Sequence, residues 1–506
     1  MAADPARVSR HPSALFLALG ALAFGVLATA NAGGYRYGTS DQAFYIPVIT
    51  HALNAAAFPR DGALIDAQGH LMVLDELLAS LVRATGLPLE LICVAGYGLS
   101  LVLVWIGITL IGARVYHSAW ATAALGATFT LRHRISETSA NSFEPYFHPR
   151  MLAFGVGLLA VAAVQRGRTW TAVALVAVTA IVHVTTGLWV AVLVGVALAL
   201  LDSRMRVLAL TGLSLGTAAL LWAFSTGPLA GALTPMDAVW LQAVATKDSL
   251  FATAWPAWAW GANLGLLAAI WWAHTSRARR GLATPEDRAF TWGATALVAL
   301  FLLTLPLVAA RAELPVQLQI SRIFWLLDFL ATLYLIAALT DAGPAVARAV
   351  ALLLMAVSLG RGAYVMLIEH PERALVSVYT PDSPWEDAMR WVARQPLDLH
   401  VFADPGHAWK FGTSVRVSGG RDVLLEEVKD AALAIYSRDV ARRVVERTAA
   451  IGDFRTLTAD RAHELARRYD LDVLVTEADL PLPLVYRNDQ FHIYTFTPTT
   501  APADGR

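Results

Sequence analysis

Asp41 is the first carboxylate of this chain placed where it could take part in chemistry. It lies in GGYRYGTSDQAFYIPVITHALNAAAFPRD, residues 33–61, just after the first long apolar segment, with Tyr35, Arg36, Tyr37, Phe44 and Tyr45 around it. A carboxylate there could accept the proton of an incoming hydroxyl and so act as a general base. An acid in the first turn of a helix capped by Ser40 is also favoured by the helix dipole alone. The two readings weigh about equally.

Six arginines form a second group: Arg36, Arg132, Arg134, Arg150, Arg311 and Arg322. Guanidinium forks match phosphate oxygens two at a time, so a cluster could hold a phosphate or pyrophosphate and stabilise charge on it as it leaves. Any one of them more often anchors a helix end by snorkelling to lipid head groups. Six together argue for binding. His148, in Phe147-His148-Pro149-Arg150, and His183, in His183-Val184-Thr185-Thr186-Gly187, stand at helix ends. Each could bond a phosphate or sugar, although such a histidine more often satisfies a neighbouring carbonyl. Tyr45, Glu144 and Gln319 are candidates for substrate contact. Glu137 and Glu144 could instead pair with the arginines or hold a metal with Asp41. Asp328 lies about 9 Å along a helix from Arg322, at about 1.5 Å per residue. An acid at that depth is costly, which makes it a functional candidate or the partner of an arginine. No zinc-ligand spacing, phosphate-cradling glycine loop, dinucleotide fingerprint or internal repeat is present.

The elements that must position these residues are mostly apolar. Of 506 residues, 57% are hydrophobic and 15% charged, and the mean hydropathy is +0.53. That composition is a polytopic membrane protein. The formal net charge is zero, so nothing argues for nucleic acid. The single Cys93 excludes an internal disulfide. Apolar blocks near 13–32, 92–111, 118–131, 151–164, 169–185, 187–201, 207–225, 258–274, 290–310, 322–340 and 345–367 suit roughly ten or eleven crossings of about 20 residues each. The first block is expected to be a retained helix, although Arg7 and Arg10 before it and small residues after it also resemble a signal peptide. Arg7, Arg10, Arg114, Arg166, Arg168, Arg204, Arg206, Arg277, Arg279, Arg280, Arg288 and Arg348 fall on one side, which puts the N-terminus in the cytoplasm. An odd number of crossings then leaves everything after Glu369 outside. The long polar loops, including 33–90, 132–150 and 311–322, lie outside as well.

The loop at 33–90 carries two helical signals, the second with an apolar stripe of Leu71, Leu74, Leu78, Leu81 and Val82 opposite Asp75, Ala79 and Arg83. Both are expected to lie on the membrane surface. After the last apolar block the composition becomes that of a soluble domain. Strand patterns at 399–403, 414–417, 471–476, 484–487 and 491–496 alternate with helical ones at 384–393, 433–449 and 459–469. The expected organisation is a transmembrane domain at 1–368, an extracytoplasmic α/β domain at 369–498 and a disordered tail at 499–506. Trp385, Asp404, His407, Arg421, Lys429 and Arg438 are the soluble domain's polar candidates, without catalytic spacing.

An acid just after a first helix, a large outer loop with surface helices, about eleven crossings and an outer C-terminal domain together resemble the GT-C membrane glycosyltransferases. The fold class expected is therefore mainly α, a polytopic helical membrane protein with a small C-terminal α/β extracytoplasmic domain. The resemblance implies a sugar donor linked to polyprenyl phosphate or pyrophosphate, with transfer to a glycan, lipid or protein acceptor on the outer face of a bacterial inner membrane. It implies that Asp41 is the base and that Arg322 contacts the donor phosphate. Many members carry two adjacent acids where this chain has Asp41 followed by Gln42, so a divalent metal cofactor stays open. Two other readings are a transporter or flippase of a lipid-linked or anionic solute, with Asp328 at depth, and a non-catalytic envelope assembly protein.

Overall fold

The computed structural model describes residues 14–69, 73–116 and 118–496; Arg7, Arg10, Leu71 and the tail at 499–506 lie outside them. Every apolar block of the sequence forms a helix: Ala14–Asn31, Leu89–Val115, Ala119–Phe129, Pro149–Val164, Thr169–Val182, Val184–Leu201, Ser203–Ser225, Ala257–Arg279, Pro285–Ala309, Ile323–Thr340 and Pro344–Tyr364. Length and composition then divide them. Among the described residues 7 stretches are long and apolar enough to cross a membrane, and Pro149–Val164 and Thr169–Val182 are apolar but shorter. Ala119–Phe129, with 11 residues, reaches about 16 Å against a hydrocarbon core of about 30 Å. About eleven crossings are therefore not reached on length and composition alone.

The chain forms two compact units, Met1–Tyr35 with Ala95–Met236 and Asp248–Val376, and Arg36–Val94 with Asp237–Lys247 and Ser377–Arg506. In the first, Pro149–Val164 packs on Thr169–Val182 and Val184–Leu201, Pro285–Ala309 on Val184–Leu201, and Ala257–Arg279 on Ile323–Thr340. Small residues set some of these approaches, because apolar helices in lipid gain most from close contact. A Cβ on Gly293 would stand 2.9 Å from the Leu193 carbonyl oxygen. One buried charge is fully matched: Arg277 donates to Asp341 at 2.9 Å, Asp287 at 3.1 Å and the Val115 carbonyl at 3.0 Å.

The second unit holds a five-stranded sheet. Its strands are β1 (His400–Ala403), β2 (Asp422–Val423), β3 (Val473–Thr476), β4 (Leu484–Arg487) and β5 (His492–Thr495), in the order β2-β1-β3-β5-β4. β1 runs parallel to β2 and β3, and β5 is antiparallel to β3 and β4. Alternating valines of β1 and β3 bury against Trp385, Met389 and Val392 of the helix Pro384–Ala393. The strand expected at 414–417 is instead the helical turn Val415–Gly419, with Ser414 capping the Val417 amide. Here a buried ion pair of Arg416 outweighs β-propensity.

That ion pair joins distant segments within this unit. Asp61 is fully buried and accepts from Arg416 Nε at 2.7 Å and from Arg443. Arg416 also grips Asp430 with both terminal nitrogens, at 2.7 and 3.1 Å. Burial alone would raise the Asp61 carboxyl, but the two guanidinium groups outweigh it and hold the group well below the usual carboxylate range. Loop residues 36–94 thus belong with the C-terminal segment.

The helix Leu74–Thr85 differs from its sequence pattern. Leu74, Asp75 and Ala79 are buried, whereas Leu77 and Leu81 are exposed. Leu74 of the expected stripe is buried and Leu81 is not, while Asp75 and Ala79, expected on the open side, are buried. Burial, helped by Glu76, pushes the Asp75 carboxyl up to about 8. Two predictions arise. Arg416→Ala, which strands Asp61 and Asp430 without their shared cation, should destabilise the unit by about 3–5 kcal/mol, read as a large loss in the thermal unfolding midpoint. Asp75 binds its proton more tightly folded than unfolded, so its contribution is complete below the ordinary carboxylate range and is lost as pH rises through about 8. Asp75→Asn should raise the midpoint at pH 9 and leave it little changed at pH 4; equal effects at both would contradict the assignment.

Candidate functional site

Asp41 stands just ahead of the helix Gln42–Leu53, and its side chain caps nothing. Ser40 occupies the left-handed region at φ +53°. That conformation costs a non-glycine residue on the order of 1–3 kcal/mol. The Asp41 carboxylate instead meets Lys429 Nζ at 2.9 Å, which also lies 3.3 Å from Ser40 Oγ and 5.2 Å from the centre of the Phe44 ring. Asp41 thus stands at the helix N-terminus and in an ion pair with Lys429.

Lys429 had no sequence neighbour to mark it, yet rarity was a signal. Lysine occurs only at positions 247, 410 and 429. Two of these serve one place: Lys247 donates to the Val428 carbonyl at 2.9 Å. Burial lowers its ammonium pKa, Lys429 lowers it further, and Asp41 works the other way. Tyr45 packs edge-on against Phe44, with ring centres 6.1 Å apart. Arg36 is half-buried on the short strand Tyr35–Arg36, five residues before Asp41.

The remaining candidates lie in the first unit. Arg150, in the first turn of Pro149–Val164, is buried and donates to Glu144 at 3.1 Å. Arg132 reaches the same carboxylate at 3.6 Å, and Asn141 donates to it at 3.1 Å. Glu144 is thus a shared counter-ion. The guanidinium of Arg150 also sits over Trp325, 5.5 Å from the ring centre.

His148 and His183 each cap a helix through Nδ1. His148 accepts from the Arg150 amide at 3.0 Å, and His183 from the Thr186 amide at 3.3 Å and its hydroxyl at 2.9 Å. With Nδ1 an acceptor, the ring proton is on Nε2, which makes each histidine a donor. The two ring centres are 6.3 Å apart. His148, Arg150 and Arg322 all lie close enough to His183 to act on it electrostatically. Four cationic or donor side chains therefore gather, with Glu144 as the acid paired to Arg150.

Arg322 closes a helical turn whose preceding residue, Gln319, is buried at φ +48°. Arg132 and Arg311 are also left-handed. Strain of this kind persists only where surrounding structure enforces it. Arg311 stacks on Phe251 at 4.0 Å, and Arg134 is exposed on a two-residue strand. These two are not brought to the His148–His183 pair by any contact described.

Asp328 pairs with His133 rather than with an arginine. His133 Nδ1 is 2.7 Å from Asp328 Oδ2 and Nε2 is 3.0 Å from the Thr128 carbonyl. Both nitrogens face acceptors, so the ring is an imidazolium. Burial opposes that charge, but the Asp328 carboxylate outweighs it and raises the His133 pKa. Among the described residues no group of three or more histidine, cysteine or acidic side chains is arranged to hold a metal ion.

No family model matches the chain, and no curated protein matches it. Among solved structures it is similar to the oligosaccharyltransferase of Archaeoglobus fulgidus in the apo form, with 11% identity, 92% of this chain and 69% of that one covered, and a TM-score of 0.47. The same enzyme in complex with zinc and sulfate gives 11%, 91%, 67% and 0.45. ArnT from Cupriavidus metallidurans bound to undecaprenyl phosphate gives 14%, 96%, 98% and 0.36.

The Glu144 arrangement makes its own prediction. Glu144→Ala leaves Arg150 buried without its counter-charge and should cost about 3–5 kcal/mol. Arg134→Ala, at an exposed position, should stay within about 0.5 kcal/mol. Thermal unfolding of the two variants side by side tests this; equal losses would remove Glu144 from its place as counter-ion.

Proposed function

We propose that this chain is a glycosyltransferase that moves a sugar from a polyprenyl-phosphate or pyrophosphate donor to an acceptor hydroxyl on the extracytoplasmic face of the bacterial inner membrane. The observation that carries the reading is the gathering of Arg150, Arg322, His148 and His183 within a unit of apolar helices. Bringing two guanidinium groups together there is costly unless anions offset them, and Glu144 already answers Arg150. A phosphate attached to a lipid is the anion that such surroundings suit.

In the proposed reaction the acceptor oxygen attacks the anomeric carbon as the bond from that carbon to the phosphate oxygen breaks. The electron pair leaves on the phosphate, where guanidinium forks and imidazole N–H groups stabilise it. The hydroxyl proton passes to Asp41. Lys429 is a positioning residue, holding the carboxylate in one orientation at 2.9 Å. The transporter reading rested on Asp328, whose charge His133 already answers.

Asp41→Asn should lower transfer by about 10²–10⁴-fold without changing the unfolding midpoint. Arg322→Ala should lose donor binding, read by native mass spectrometry with a panel of polyprenyl-phosphate sugars. Unchanged turnover in the first variant would exclude Asp41 as the base. Unchanged donor binding in the second would exclude Arg322 as a phosphate contact.

A further inference from the structure

A cavity of about 300 Å³ lies wholly within the second unit. Its wall includes the hydroxyl-bearing side chains of Tyr37, Thr50, Tyr379, Thr380 and Ser418, together with the Glu90 carboxylate. Among the described residues, arginine, lysine and histidine do not line it. The contrast with the arginine and histidine cluster of the first unit is chemical. A wall that offers hydroxyls and a carboxylate, but no cation, disfavours a phosphate and suits a ligand rich in neutral hydroxyl groups.

Two tyrosines supply flat apolar faces for the C–H side of a sugar ring, while hydroxyls that both donate and accept can follow its rim. The volume is at the lower end of the range for small-molecule sites, about 300–1,000 Å³, which suits a short saccharide. The wall is also held in place. Ser418 Oγ lies 2.9 Å from Glu386 Oε1, and Thr413 donates to the same oxygen. Glu386 is itself buried in the helix Pro384–Ala393.

The cavity adjoins the segment that carries Asp41. Gly38 has φ +79°, and a Cβ there would stand 2.9 Å from Val417 and 3.6 Å from Thr380, which both line the cavity. Its amide donates to Gln42 Oε1 at 2.6 Å, closing the turn around Asp41. We infer that this cavity is a binding site for a neutral sugar, the terminal residue of the acceptor. Its assignment to the acceptor rests on the proposed transferase reading, whereas sugar binding itself does not.

The test uses the full chain in nanodiscs and saturation-transfer NMR with neutral hexoses, 6-deoxyhexoses and N-acetylhexosamines, plus glucose 6-phosphate as an anionic probe. At least one neutral sugar should bind, with glucose 6-phosphate about tenfold weaker or worse. Tyr379 is 59% exposed, so Tyr379→Ala should fold normally and weaken the sugar about tenfold; Thr50→Val should weaken it as well. Absence of neutral-sugar binding, preference for the phosphate sugar, or undiminished binding in both variants would overturn the inference. Asp41→Asn separates the two claims. If it binds the sugar but still turns over, the base role falls and the cavity stands; if it loses turnover while no sugar binds even the wild type, the cavity falls and the base stands.

Discussion

The arrangement around Asp41 depends on the buried Asp61–Arg416–Asp430 ion pair. The partners Asp61 and Arg416 are 355 residues apart in sequence, and a charge buried on either one is costly without the other. Their pairing holds the loop of residues 36–94 to the C-terminal segment. Lys429 is the residue before Asp430, so the contact that neutralises Asp61 also brings Lys429 to Asp41. Asp422 reinforces the same junction by accepting from the backbone amides of Arg60 and Asp61, at 2.8 and 3.1 Å.

In the first unit the governing constraint is the cost of charge among apolar helices. Arg277 shows the fully answered case, with two carboxylates and a carbonyl around one guanidinium. Arg150 shares Glu144 with Arg132, while Arg322 and two neutral, helix-capping histidines lie nearby. The two clusters differ in that Arg277 has two carboxylates to itself, whereas Arg150 and Arg132 share one. The left-handed residues Arg132 and Gln319 beside the second cluster are in keeping with that difference, since packing must over-determine such conformations.

The proposed donor and acceptor would be recognised by different side chains. Guanidinium and imidazole groups in apolar surroundings favour an anion. Hydroxyls and tyrosine rings around the 300 Å³ cavity favour a neutral polyol. Transfer between a lipid phosphate and a hydroxyl-bearing acceptor uses one of each.

Composition and hydrophobic periodicity by themselves determined the helical blocks, the α/β character of residues 384–496 and the place of Asp41 at the start of a helix, because burial of apolar surface is written locally in residue spacing. The same local signals misread Ser414–Val417 as a strand, where Arg416 answers to partners outside its own segment, and put Asp75 and Ala79 on the open side of Leu74–Thr85, where both are buried. Tertiary structure alone decided that Lys429 meets Asp41, that His133 meets Asp328, and that Glu144 serves Arg150 and Arg132. Charge pairing acts through space at about 3 Å and leaves no period in the sequence. Only the rarity of lysine hinted at it beforehand.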